Sequence, residues 1–229
     1  MKISNFGLDI LPGKYKYIDE YFPKLVKKFS PQKESPYTVE FVDDELETAD
    51  AIVFNTIKKL DLLFLDLEKL EKRISRSDNE KERNCLLKAQ GYLEKESLLC
   101  NNHFTEEEKA MLRNLGLVTL KPCIEKDRID DINSLIKEVI DKTGVLLFFT
   151  AGKKEVHVWD IHKGDDIVKA AGRIHSDFAR GFIKAEVINC KDLDKFYNLA
   201  EAKAKGLVKL VDRDYIVEEN DIIEIKFNV

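Results

Sequence analysis

Hydrophobic residues follow several distinct spacings along the chain, and each spacing predicts a different element. In the first part, short apolar runs alternate with loops and predict strands over Lys2–Phe6, Tyr37–Val42 and Ala51–Phe54, with a helix over Ile18–Phe29 between the first two. The order strand, helix, strand predicts a parallel crossover, which is right-handed in nearly all proteins. Residues 1–56 are therefore predicted to form a small α/β unit.

A helical spacing replaces the strand pattern after this unit. From Ile57 to Ile74, apolar residues recur at steps of three and four, which predicts an amphipathic helix of about five turns. A Ser-x-x-Glu capping box at Ser77 predicts the start of a second helix, antiparallel to the first. Another capping box at Thr105 opens a short helix that Gly116 ends. Residues 57–120 are predicted to be a helical hairpin.

The remainder of the chain is predicted to be a connector followed by an α+β sheet with a helix on one face. Residues 121–145 contain a helix over Ile132–Lys142, and Cys123 and Ile124 pass directly into a charged segment without a predicted strand. The elements predicted after this connector are strands over Val145–Thr150, Val156–Ile161, Phe182–Ile188, Tyr215–Val217 and Ile222–Phe227, and helices over Asp166–Phe178 and Asp192–Lys205.

Composition narrows the class of protein. Apolar residues make up 44% of the 229 residues and charged residues 35%, a balance typical of folded cores with a highly charged surface. No apolar run approaches the roughly 20 residues of a membrane helix, and no signal peptide is recognisable, so a cytoplasmic protein is expected. The four scattered cysteines are expected to be reduced, with no metal site. Because the net charge is −5, any contact with nucleic acid should be local.

Several segments, in order, resemble the YchF family of P-loop NTPases, an Obg-related group of the TRAFAC class. The segments that carry the resemblance are Asn55–Thr56, Leu65–Arg73, Phe104–Glu108, Leu115–Thr119, Phe148–Val156, Ala170–Phe178, Gly181–Ile188, Asp214–Val217 and Phe227–Val229. The resemblance implies a TGS domain with a β-grasp, ubiquitin-like fold over residues 146–229. It also implies that residues 57–120 are the family's coiled-coil arm and that residues 1–56 are a truncated G-domain-like unit.

The resemblance places a nucleotide loop at residues 7–15, but this loop departs from the pattern Gly-x4-Gly-Lys-Ser/Thr. Its spacing is one residue too long, Tyr15 stands where the metal-binding hydroxyl belongs, and Pro12 lacks an N–H donor for phosphate. We therefore expect a degenerate NTPase that is not an enzyme and has no catalytic residues. Gly7, Gly13 and Lys14 remain as a nucleotide-binding remnant, with no cofactor beyond weakly bound ATP or GTP.

Basic residues in the C-terminal part are candidates for contact with RNA or another partner. Between Lys153 and Lys209 there are twelve basic and nine acidic residues, a balance that fits either a local phosphate-binding patch or ordinary solvated faces of a strand and a helix. The histidines lack the ligand spacing of a metal site, and Trp159 is either a core residue or a stacking platform for a base. The candidate residues are Lys153, Lys154, His157, Arg173, His175, Arg180 and Lys184.

Three functions remain open on the sequence alone. The resemblance to a translation-associated family implies a binding protein that engages RNA or a ribosomal particle through its TGS domain and helical arm. The alternatives are a protein that binds ATP or GTP with little turnover and a protein–protein adaptor. The sequence does not fix the oligomeric state or the partner.

Overall fold

The computed structural model describes residues 1–228, which divide into two compact units. The first comprises Met1–Tyr15 and Val39–Thr143, and the second comprises Lys16–Thr38 and the chain from Gly144 onward. The strands are β1 (Lys2–Phe6), β2 (Gly13–Tyr17), β3 (Lys33–Ser35), β4 (Tyr37–Asp43), β5 (Ala51–Asn55), β6 (Cys123–Lys126), β7 (Val145–Ala151), β8 (Glu155–His162), β9 (Phe182–Asn189), β10 (Lys209–Val211) and β11 (Asp221–Phe227). The α-helices are α1 (Phe22–Phe29), α2 (Lys59–Ile74), α3 (Glu80–Leu93), α4 (Glu106–Arg113), α5 (Ile132–Thr143), α6 (Ile167–Ile174), α7 (Ser176–Arg180) and α8 (Leu199–Ala204).

The first sheet has the strand order β2-β4-β1-β5-β6. β1 runs parallel to β4 and to β5, so the three predicted parallel strands are confirmed, with Ile3 opposite Phe41 on one side and Ala51 on the other. The sheet is larger than predicted because β2 and β6 extend it. β6 pairs in parallel with β5, and its Cys123 and Ile124 are buried. The prediction of a connector without a strand at this place is wrong, since four residues proved too short a run to recognise.

Helix α1 starts later than the predicted Ile18, and it belongs to the second compact unit together with the chain from Gly144 onward, not to the same unit as β1 and β5. Its start is fixed by Asp19, whose carboxylate accepts hydrogen bonds from the N–H groups of Tyr21 (2.7 Å) and Phe22 (2.6 Å). The helix ends at Phe29, and the capping residue Ser30 after it adopts a left-handed conformation. Phe22 and Leu25 on one face are buried, so the lysines of α1 lie on the other face.

The helical hairpin is present as α2 and α3, but its caps and its buried face differ in detail from the prediction. The cap of α3 is Asn79, whose side chain accepts from the N–H of Glu82, and not the predicted Ser77. The capping box at Thr105 is confirmed. Leu62 and Leu70 of α2 are buried against the sheet and α3, whereas Ile57, in the 3-10 turn before α2, is 81% exposed.

The second sheet has the order β10-β9-β11-β7-β8-β3. β7 and β8 form an antiparallel hairpin, β9 and β11 pair antiparallel, and β11 runs parallel to β7. Helix α6 packs on this sheet through Ile167, Ala170 and Ala171, which share a core with Phe148 and Val187. The edge strand β3 comes from the N-terminal part of the chain and pairs in parallel with β8.

Three predicted elements of this unit are wrong in their extent. The helix over Asp166–Phe178 is two helices, because His175 has extended backbone between them. The helix over Asp192–Lys205 is a 3-10 turn followed by α8. Tyr215–Val217 forms a single bridge, between Ile216 and Asp166, rather than a strand.

The backbone of Gly181 packs directly against the backbone of Asn228. A Cβ added at Gly181 would lie 2.3 Å from the backbone oxygen of Asn228, which is far inside van der Waals contact. The N–H of Asn228 donates to the oxygen of Gly181 at 2.9 Å. Only glycine therefore fits at this position.

Candidate functional site

The loop between β1 and β2 is a closed structure held by Asn5. The Asn5 amide donates to the backbone oxygens of Leu8 (2.9 Å) and Ile10 (3.2 Å), and its oxygen accepts from the N–H of Leu8. Gly7 has a φ of +82°, and a Cβ there would lie 2.7 Å from Cγ of Lys58. The loop is therefore tightly turned and needs glycine at its start.

The remnant residues Gly13 and Lys14 begin a strand, β2, and not a helix. A P-loop binds phosphate with backbone N–H groups at the N-terminus of the helix that follows it. Here Lys14 is exposed on a strand, and the Tyr15 hydroxyl donates to the backbone oxygen of Leu11 at 2.8 Å. The geometry of this loop thus differs from a P-loop in the element after the lysine as well as in spacing.

Three of the basic candidates are neutralised by neighbouring carboxylates. The guanidinium of Arg173 binds Asp160 with Nη2 to Oδ1 at 2.6 Å. Nη2 of Arg180 lies 2.9 Å from Oδ1 of Asp177. Nζ of Lys184 lies 3.5 Å from Oδ1 of Asp212. These pairs are solvent-exposed and individually weak, but each carboxylate competes with a phosphate for the same cation.

Lys153 and Lys154 differ from the other basic candidates. They form the turn between β7 and β8, where both side chains are exposed and neither has a carboxylate partner among residues 1–228. Their backbone oxygens accept from the N–H groups of Gln32 (3.0 Å) and Lys33 (3.1 Å), which fixes the turn. The structure thus presents two unpaired ammonium groups on a fixed backbone.

The aromatic and histidine candidates have structural contacts. His157 stacks on Trp159 with ring centroids 3.8 Å apart, and burial lowers the pKa of His157 below its ordinary value. Trp159 is partly buried and its indole N–H donates to Thr150 Oγ1 at 3.0 Å, which favours the core interpretation. His175 caps α7 by accepting from the N–H of Asp177. In the described part of the chain, no group of three or more His, Cys, Asp or Glu side chains is arranged to hold a metal ion.

The second unit also contains a cleft that the sequence did not suggest. It has a volume of about 430 Å³ and is lined by Lys24, Lys27, Lys28, Leu193, Asp194 and Tyr197. The sequence signal for it is three lysines on one face of α1. The sequence alone does not connect these lysines with a cleft, because its other wall comes from residues 193–197, more than 150 positions along the chain.

Comparisons with known proteins agree on one family. The family model YchF-GTPase_C, described as a protein of unknown function (DUF933), matches residues 145–228. The ribosome-binding ATPase YchF of Mycoplasma genitalium is 32% identical over 178 residues, 78% of this chain and 45% of that protein. The Obg-like ATPase 1 of Danio rerio is 41% identical over 108 residues, 47% of this chain and 27% of that protein. The chain thus spans less than half the length of these two curated relatives.

A solved structure shows the same fold. The Schizosaccharomyces pombe YchF GTPase superposes with a TM-score of 0.83, covering 99% of this chain and 97% of that one at 17% identity. No helix of residues 1–228 is both long and apolar enough to cross a membrane. The prediction that the chain is not an enzyme is contradicted, because the curated relatives are named ATPases. The ordered segments, the family model and the shared fold agree, and the chain belongs to the YchF family.

Proposed function

We propose that this chain is a nucleotide-binding, ribosome-associated protein of the cytoplasm. Its C-terminal unit is a TGS domain with the β-grasp fold, and this unit and the helical hairpin engage RNA or ribosomal particles. Relatives named ribosome-binding ATPases support the ribosomal partner. The β7–β8 hairpin, helix α6 and a final strand parallel to β7 support the β-grasp assignment.

The observation that carries the proposal is the pair of unpaired ammonium groups, Lys153 and Lys154, on a turn whose backbone is fixed. Ammonium groups without a carboxylate neighbour are available to neutralise phosphates and release counterions. Neither side chain has the fixed orientation that reading a base edge requires, so the contacts should be insensitive to sequence.

The test is recovery of the full chain with ribosomal pellets between about 50 and 200 mM salt, where phosphate contacts lose affinity steeply. Replacing Lys153 and Lys154 together by Ala should flatten the slope of log affinity against log salt by roughly 0.7–0.9 for each phosphate that is no longer neutralised. Lys169→Ala removes an exposed lysine of the same unit that is already paired with Asp165 (Nζ to Oδ1, 2.6 Å), and it serves as the control. Binding that is unaffected by salt and by the double replacement would refute the RNA proposal and favour a protein–protein adaptor.

Nucleotide binding has a separate test. A ligand that binds only the folded chain stabilises it by about 2.7 kcal/mol at one hundred times its Kd, so Mg-ATP or Mg-GTP should raise the melting temperature. Lys14→Ala should reduce this rise if the loop between β1 and β2 holds the phosphates. Hydrolysis should be assayed in the same samples. No protection by either nucleotide would contradict the nucleotide-binding part of the proposal.

A further inference from the structure

The cleft beside α1 combines positive charge with an exposed aromatic ring. Lys24, Lys27 and Lys28 face it from α1, and Leu193, Asp194 and Tyr197 face it from the segment after β9. All six residues belong to the second unit. Three ammonium groups against one carboxylate give the lining a positive balance, although the unit as a whole is nearly neutral, with 19 Lys and Arg against 18 Asp and Glu.

The position of Lys28 is fixed. Its Nζ donates to the backbone oxygens of Leu193 (2.8 Å) and Phe196, and it lies 4.5 Å from the centroid of the Phe196 ring. This ammonium ties α1 to the segment that carries Tyr197, so the two walls of the cleft hold together. Lys28 is therefore a positioning residue, and the other two lysines are left for a ligand.

Lys27 and Lys24 are both exposed towards the cleft. Lys27 has no carboxylate partner within the described residues. Lys24 forms only a long ion pair with Glu20, with Nζ 3.7 Å from Oε2, and the same Nζ lies 5.0 Å from the centroid of the Tyr21 ring. Exposed pairs of this kind contribute little, so a phosphate can displace the carboxylate.

Tyr197 is the most exposed large hydrophobic side chain of the described residues, at 88%. Its backbone is nevertheless fixed, because its N–H donates to the Glu201 carboxylate at 2.7 Å. Asn198 next to it caps α8 by accepting from the N–H of Glu201 at 3.0 Å. An aromatic ring held on an ordered backbone and widely open to solvent is suited to stacking against a planar ligand.

We propose that this cleft binds single-stranded RNA, with one base stacked on Tyr197 and the adjoining phosphates on Lys27 and Lys24. Proteins that bind single strands combine stacking aromatic rings with cations that follow the backbone, and every base offers a face to stack. The volume of about 430 Å³ lies within the range of pockets for small ligands. This inference rests on the proposed function and names the site and the form of RNA.

The experiment uses the full chain and a fluorescein-labelled oligouridylate of about ten nucleotides, within the site sizes of single-strand grooves. Tyr197→Ala should weaken binding about 5-fold to 140-fold, the range set by stacking energies, and leave the salt slope unchanged. Tyr197→Phe keeps the ring and should bind like the wild type. Lys27→Ala should flatten the salt slope by about 0.7, as expected for one phosphate contact on a single strand.

Lys163→Ala is the matched control, because it removes an exposed lysine that does not line the cleft, and it should keep the wild-type affinity. If the wild type binds the probe but Tyr197→Ala and Lys27→Ala bind equally well, the cleft is refuted while the proposed function stands. If the wild-type chain pellets with ribosomes but does not bind the probe, the proposal for the cleft is refuted and the proposed function still stands. A wild type that binds neither ribosomes nor probe refutes the proposed function itself. Displacement of the probe by duplex RNA as readily as by single strands would also overturn the inference.

Discussion

Replacing Asp66 should destabilise the first unit far more than any exposed carboxylate on the same helix. Asp66 lies in the middle of α2 and is completely buried. Its Oδ1 accepts from the N–H of Val118 at 2.8 Å, and its Oδ2 accepts from the N–H (2.7 Å) and the hydroxyl (2.6 Å) of Thr119. The carboxylate thus satisfies the donors that open the turn after α4.

The magnitude follows from those donors. Asp66→Ala leaves two buried N–H groups and a buried hydroxyl without an acceptor, at about 1–3 kcal/mol for each unsatisfied group. Part of this cost is offset, because desolvation makes the ionised carboxylate expensive to bury, as the raised pKa of Asp66 indicates. We expect a net loss of about 2–4 kcal/mol in the free energy of unfolding. Asp66→Asn keeps one acceptor and should lose about half as much.

The assay is urea unfolding followed by far-UV circular dichroism, with the midpoint compared at constant m-value. Glu71→Ala is the control, since Glu71 is an exposed carboxylate on the same helix and its loss should change stability by less than about 0.5 kcal/mol. A midpoint for Asp66→Ala equal to that of Glu71→Ala would refute the reasoning, because the two N–H groups would then have found other acceptors without cost.

The pH dependence of stability tests independently whether burial of Asp66 favours its protonated form. Burial raises the pKa of Asp66 above its ordinary value of 3.8, so the folded chain binds this proton more tightly than the unfolded chain. The resulting stabilisation is complete below 3.8 and is lost as the pH rises through the folded pKa. The advantage of wild type over Asp66→Asn should therefore be larger near pH 4 than at about pH 7.

Two further predictions concern backbone space and a spectroscopic probe. Gly181→Ala should destabilise the chain, because the added Cβ would collide with the backbone of Asn228. Gly91→Ala adds a Cβ to open space within α3 and should stabilise the chain by about 0.5–1 kcal/mol in the same urea assay. The opposite order of stabilities would contradict this contact geometry. The fluorescence of the single tryptophan, Trp159, should change with pH as the stacked His157 protonates, with a midpoint below pH 6.5 because burial lowers the pKa of this histidine. His157→Gln should show no such transition, and a wild-type midpoint above pH 6.5 would contradict the prediction.

Sequence patterns predicted the elements whose signals are local. In β8, partly exposed and buried residues alternate from Glu155 to Trp159, and the apolar run of β7 precedes it, so both strands could be recognised directly. The pairing of β3 with β8 could not be predicted, because it joins Lys33 to Glu155 across more than a hundred residues and β3 has only three residues. Nothing in so short and polar a strand distinguishes the edge of one sheet from the edge of another.

Contacts between residues that are distant in sequence also decide which of the basic candidates are paired with carboxylates. A sequence identifies a cation, but not the carboxylate that the fold brings beside it. Asp160 lies thirteen positions before Arg173 and pairs with it only because helix α6 packs on the sheet of β8. A count of basic residues therefore overestimates the phosphate-binding surface of this unit.

The charge available to RNA is thus decided by pairing and not by composition. Of the predicted basic candidates, Lys153 and Lys154 keep free ammonium groups on a fixed turn, while the arginines are matched by carboxylates. Lys27 has the same unpaired character but lies on α1, in a segment that joins the second unit from the N-terminal part of the chain. In a unit with almost no net charge, such unpaired groups determine where a phosphate can bind, and of these three lysines only Lys27, at the cleft, has an exposed ring beside it.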